Sequence, residues 1–281
     1  MAKNSPKKTI KKTAVKASSK KEAKKVSKPF SALEQAIELH HAGKLKEAWS
    51  LYQIVLQGEP HHFLATHSMG LIAVQVQNYQ MAADLFKMAC EFEPQNAQAF
   101  NNLANTYLQL GKHEVALNHY AAAISLDSNY VDALKNRGIL FAGTHQSQKA
   151  LADFQRALKL SPRNIELHSL LANVYISEGR YQDALHEYEL ALAIAPNSAV
   201  LINNMGVVLC ALKQFKESLA YFTKAIQINS QYAEGFNNRA AARMSRREFS
   251  RAKVDYERAL ALNPGYGDAK QGLARAKSFL R

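Results

Sequence analysis

The chain has 281 residues and a formal net charge of +13, from 36 Lys+Arg against 23 Asp+Glu. It contains no run of 18 apolar residues, so no membrane-spanning helix is expected, and its two cysteines, Cys90 and Cys210, suit free thiols in a reducing compartment. The charge is uneven: residues 1–28 hold eleven Lys and one Glu, so this segment carries +10 and the rest only +3.

Residues 1–28 interleave Lys with Ser, Thr and Ala and have few large apolar residues beyond Ile10, Val15 and Val26. Such a segment cannot bury enough surface to offset its ordering entropy, so a disordered basic tail is expected. It lacks the apolar core of a secretory signal, and it lacks the Arg usual in a mitochondrial presequence. A soluble, cytoplasmic protein is the expectation. The tail acts either as a solubilising linker or as a loose contact for nucleic acid or an anionic surface.

From residue 29 the chain repeats every 34 residues. Counting units as 29–62, 63–96, 97–130, 131–164, 165–198, 199–232 and 233–266, position 32 is Pro60, Pro94, Ser128, Pro162, Pro196, Ser230 and Pro264. Position 8 alternates Ala36, Gly70, Ala104, Gly138, Ala172, Gly206, Ala240, and position 24 alternates Tyr52, Phe86, Tyr120, Phe154, Tyr188, Phe222, Tyr256. Small residues also hold position 20 in every unit and position 27 in six of the seven.

Each unit predicts two helices. In the third, Phe100, Leu103, Ala104, Tyr107 and Leu108 mark one buried face, and Val115, Ala116, Leu117, Tyr120, Ala123, Ile124 and Leu126 mark the inner side of a second helix. Between them stands Gly43, Gly111 or Gly179, as a left-handed turn requires. The other units place Gln77, His145, Lys213 and Arg247 there, which predicts a costlier turn or a different cap. Residues 267–281, with Lys270, Arg275, Lys277 and Arg281, suit a polar capping helix. The amino end has no such cap, leaving Ala36, Leu39 and Trp49 to be covered by their own second helix or a partner.

This pattern resembles the tetratricopeptide repeat. The resemblance covers residues 29–266 and implies an all-α, right-handed α–α superhelix of seven helix–turn–helix units, built for binding protein partners. It also implies that first-helix positions 2, 5, 6, 9, 12 and 13 line or border a concave groove. Those positions hold Asn101, Asn102, Asn105, Asn136, Asn173, Asn203, Asn204, Asn237 and Asn238. Asn is a mediocre helix former, and its amide pairs with both the N–H and the C=O of an extended peptide, so the ladder suits sequence-tolerant peptide capture. The competing expectation is hydrogen bonding between neighbouring helices. The units are similar to the repeat region of O-linked N-acetylglucosamine transferases, which makes an acceptor-binding region, or an adaptor for such an enzyme, an alternative. A nucleic-acid-associated protein acting through the basic tail is a second.

Chaperone-tail clamps of this repeat class need Lys and Arg where this chain has Asn101, Glu166 and Leu170, so that ligand is not expected. The histidines His40, His41, His61, His62 and His67 lack the spacing of a metal set and are expected on exposed helix ends; no cofactor is expected. Carboxylates such as Glu187 and Glu189 show no repeated pairing, and no catalytic constellation is found, so a non-catalytic scaffold is expected. Cys90 reads as core filler. The seventh unit crowds Arg239, Arg243, Arg246, Arg247, Arg251 and Arg258 at one end, which suits either a solvated end-cap or an acidic partner segment.

Overall fold

The computed structural model describes residues 31–280, so the Lys-rich tail expected at 1–28 lies outside the described residues. Every regular element among them is a helix. They pair as α1 Ala32–His41 with α2 Leu45–Gly58, α3 Phe63–Gln75 with α4 Tyr79–Phe92, α5 Ala97–Gln109 with α6 His113–Leu126, and α7 Val131–Gly143 with α8 Ser147–Leu160. There follow α9 Ile165–Ser177 with α10 Tyr181–Ile194, α11 Ala199–Ala211 with α12 Phe215–Ile228, α13 Ala233–Ser245 with α14 Phe249–Leu262, and the single α15 Gly267–Ser278. Each helix packs on the next, and first helices also touch first helices, as in α5 on α7 and α7 on α9. The result is a solenoid of seven helical pairs closed by α15.

The helix boundaries follow local chemistry. Side-chain oxygens of Asn78, Asn96, Asn164 and Ser198 accept a backbone N–H of the first turn, and Ser31 with Glu34 forms a full capping box. Each second helix ends when the N–H of position 31 bonds the carbonyl of position 27, as from Glu93 to Ala89 and Ser161 to Ala157. Pro or Ser follows at once and the chain turns. The turn within each pair is left-handed in all seven units. Gly43, Gly111 and Gly179 have φ of 71–75°, and Gln77, His145, Lys213 and Arg247 adopt the same region at 59–62°. The non-glycine units therefore keep the geometry and carry its steric cost, about 1 kcal/mol each.

The core is a column of aromatics. Tyr52, Phe86, Tyr120, Phe154, Tyr188 and Phe222 are at most 1% exposed, and the small residues at positions 8 and 20 around them are buried. The Ala/Gly alternation is explained by the rings: a Cβ on Gly70, Gly138 or Gly206 would stand 2.5–2.7 Å from a ring carbon of Phe86, Phe154 or Phe222. Phenylalanine units seat the ring on a bare Cα, whereas tyrosine units leave room for alanine. At the carboxyl end Gly272 of α15 lies against the Tyr256 ring, and Ala269 and Ala276 are buried. Val115, expected on the inner side of α6, is instead exposed, because it sits in the first turn next to solvent.

Candidate functional site

Two of the cavities are lined largely by first-helix residues. One of about 530 Å³ runs across the second to fourth units and is lined by Leu71, Asn102, Asn105, Gln109, Asn136 and Ile139. The other, about 550 Å³ near the amino end, is lined by Ile37, His40, His41, Leu64, His67 and Gln98. In the first four units, first-helix residues at positions 6, 9 and 13 border these cavities, and Leu71 lines both.

The nine asparagines divide by position. Asn101, Asn203 and Asn237 at position 5 are buried, which corrects the expectation that they line the groove. The reason is packing: position 5 faces the neighbouring first helix, and a buried amide left unpaired would cost roughly 1–3 kcal/mol. They are paired. Asn136 donates through Nδ2 to Asn101 Oδ1 and to Asn105 Oδ1, both at 3.2 Å, and Asn238 donates to Asn203 Oδ1 at 3.1 Å. Asn203 and Asn237 donate weakly to Asn204 and Asn238 at 3.4 Å. At position 9, Asn105 accepts the hydroxyl of Tyr120, and Asn173 accepts that of Tyr188 at 2.9 Å. Burial raises the pKa of both phenols, so these hydroxyls remain donors.

Of the remaining six, Asn102, Asn105 and Asn136 are half-buried and line the first cavity, Asn204 and Asn238 are half-buried, and Asn173 is exposed. Asn102 donates through Nδ2 to His67 Nε2 at 2.9 Å. His67 is not an exposed helix-end residue: it is 5% exposed, stacked on Phe63 and tilted against Phe86, each at 5.3 Å between ring centroids. Burial lowers its pKa, so the ring is neutral and accepts from the amide. His67–Asn102, Asn101–Asn136 and Asn203–Asn238 all join position 5 of one unit to position 6 of the next. Interhelical pairing is therefore a real use of the ladder.

The carboxylates also correct their expectation, because pairing does recur. Arg137 grips Asp153 with two bonds of 2.7 and 2.8 Å, and Arg239 grips Asp255 at 2.9 and 2.8 Å, in both cases from position 7 to position 23. In the fifth unit Glu187, also at 23, meets buried His168 Nδ1 at 2.7 Å. A spacing of 16 residues between Arg and Asp was the available signal. At the Arg-rich end Arg243 joins Asp255 at 2.6 Å, and Arg246 and Arg251 contact Glu248 at 2.7 and 3.4 Å. Four of its six arginines are thus held by internal carboxylates, which leaves less free charge for an acidic partner.

Among the described residues no group of three or more His, Cys, Asp or Glu could hold a metal, and no helix is long and apolar enough to cross a membrane. Cys90 is buried and its thiol is pushed up to about 12, so it is a core residue with little thiolate.

Comparison with known proteins agrees with this architecture. Models described as tetratricopeptide repeat match residues 85–117, 143–202 and 198–231, and one described as TPR repeat matches 104–144. No curated protein sequence matches the chain. Among solved structures it is similar to the C-terminal part of a TPR repeat-containing protein from Cytophaga hutchinsonii, with 16% identity, TM-score 0.72, and 86% of this chain and 99% of that one covered. A tetratricopeptide repeat protein from Parabacteroides merdae gives 19% identity and TM-score 0.66 over 88% of this chain and 97% of that one. YrrB, a TPR protein with an unusual peptide-binding site, gives 22% identity and TM-score 0.54 over 67% and 97%. With the family models running from 85 to 231, the 34-residue register and the paired-helix solenoid, the chain belongs to the tetratricopeptide repeat proteins.

Proposed function

We propose that the protein is a non-catalytic scaffold that holds an extended segment of a partner protein in its concave groove. The observation that carries this reading is the cavity along the first helices of the second to fourth units, with amides of Asn102, Asn105 and Asn136 at its wall. An extended chain arrives with one N–H and one C=O per residue to satisfy, and amides supply both partners without reading side chains. That YrrB is a peptide-binding relative in fold supports the reading by analogy.

The test places a photo-crosslinking amino acid at concave Ile139 or Val207 and, separately, at Ser125 on the exposed face of α6. Irradiation in source lysate is expected to give protein adducts from the concave positions and few from Ser125. Adducts confined to Ser125 would move the function to the outer face.

A further inference from the structure

At position 9 the groove alternates from unit to unit: Asn105, Ile139, Asn173, Val207. Ile139 and Val207 are 38% and 40% exposed, and Val200, seven residues before Val207 on the same helix face, is 54% exposed. These side chains add little to the core. A second observation concerns charge. In the fourth to seventh units the groove-lining positions carry exposed Asp132, Glu166 and Glu234 against one cation, Lys135. Lys135 itself lies 3.0 Å from Glu166 and 3.7 Å from Asp132. Three carboxylates and one ammonium leave this stretch net negative, although residues 29–281 as a whole are net positive. Between the two aliphatic positions stands Asn173, whose Oδ1 is taken by Tyr188 while its exposed Nδ2 has no internal partner.

We propose that the groove across the fourth to seventh units takes an extended, basic segment of another protein carrying two aliphatic side chains six residues apart. This rests on the reading of the groove as a site for extended segments. Packed first helices stand roughly 10 Å apart, so Ile139 and Val207, two units apart, are separated by about 20 Å. An extended chain advances about 3.3–3.6 Å per residue, which makes that distance about six residues. Six is even, so both aliphatic side chains point to the same face of the strand and reach the groove floor together. Midway, Asn173 Nδ2 donates to a backbone carbonyl. Lys or Arg beside the anchors meets Glu166, Asp132 and Glu234, and like-charged segments are rejected. The chain's own Lys-rich residues 1–28 do not fit: Ile10, Val15 and Val26 are spaced by five and eleven.

The experiment is selection of a displayed random dodecapeptide library on the full chain, with full-chain Ile139→Ser/Val207→Ser as counter-target, followed by fluorescence anisotropy with the enriched peptides. The expected peptides carry aliphatic residues at i and i+6 with Lys or Arg between or beside them. They are expected to bind the double variant about tenfold more weakly and to lose affinity for Glu166→Gln and in raised salt. Peptides that depend on Asn105 or Asn173 yet lack both the spacing and the basic residues would overturn this inference and leave the groove reading standing. Absence of any groove-dependent peptide would sink both. A synthetic peptide of residues 1–28 that binds the same groove as tightly as the best selected peptide would also overturn it, since the occupant would then be the chain's own segment.

Discussion

Replacing Gly138 with alanine sets helix propensity against packing, and the coordinates decide which wins. In an open helix, glycine to alanine stabilises by roughly 0.5–1 kcal/mol, because glycine gives up more backbone freedom on folding. At Gly138 the new Cβ would stand 2.5 Å from one carbon of the Phe154 ring and 2.8 Å from another. Phe154 is fully buried, so the ring cannot swing away without displacing its neighbours, and overpacking of this kind costs about 1–3 kcal/mol. The net expectation is destabilisation of about 1 kcal/mol. Gly143, five residues on in the same helix, has nothing within 4 Å of its Cβ position, so Gly143→Ala is expected to be neutral or stabilising by up to about 1 kcal/mol. Urea unfolding followed by circular dichroism, with hydrogen exchange to locate the weakened units, compares the two directly. Gly138→Ala matching or exceeding the stability of Gly143→Ala would show that the ring is not seated on the glycine, and the account of the Ala/Gly alternation would fall.

Glycine at Arg247, Lys213, His145 or Gln77 is expected to stabilise by up to about 1 kcal/mol, since each holds φ near +60° with a Cβ; a lower urea midpoint for Arg247→Gly would contradict this. Asn105→Ala and Tyr120→Phe are expected to be coupled by about 1 kcal/mol in a double-mutant cycle, because each removes one side of the same half-buried hydrogen bond. Additive effects would show that the bond contributes nothing. Burial holds the pKa values of His40, His67 and His119 below the ordinary value near 6.5. The unfolded chain therefore takes up these protons first, so stability is full above pH 7 and falls as pH drops through 6.5 toward the folded-state values. The urea midpoint should be lower at pH 5.5 than at 7.5, and His67→Gln should flatten the difference; a midpoint that rises on acidification would reverse the assignment.

The frame of the solenoid was legible because its signals are local and repeated. Alanine or glycine at 8, an aromatic at 24 and a turn residue at 15 each report on contacts made within one helical pair. The asparagine ladder was only half legible. Which amides face the channel depends on how far one first helix is rotated against the next, and no residue within a unit records that angle. Asn101 and Asn102 are adjacent in sequence, yet one is buried under a neighbouring helix and the other borders the cavity. His67 was missed for the same reason, since its partner Asn102 is 35 residues away. The Arg137–Asp153 and Arg239–Asp255 pairs could have been found, because their shared positions were already in register.

The alternation of tyrosine and phenylalanine units bears on how such an array can change length. The Tyr52 hydroxyl faces Ser68 and that of Tyr188 faces Asn204, each in the first helix of the unit that follows, while Phe units ask nothing polar of their neighbour. Deleting a single phenylalanine unit would set a tyrosine unit against another tyrosine unit, with its phenol beside whatever that unit carries at position 6, and deleting a tyrosine unit from the interior would set two phenylalanine units together. Removing or inserting two adjacent units keeps tyrosine and phenylalanine units in alternation, so the natural cassette for shortening, lengthening or recombining this scaffold is 68 residues.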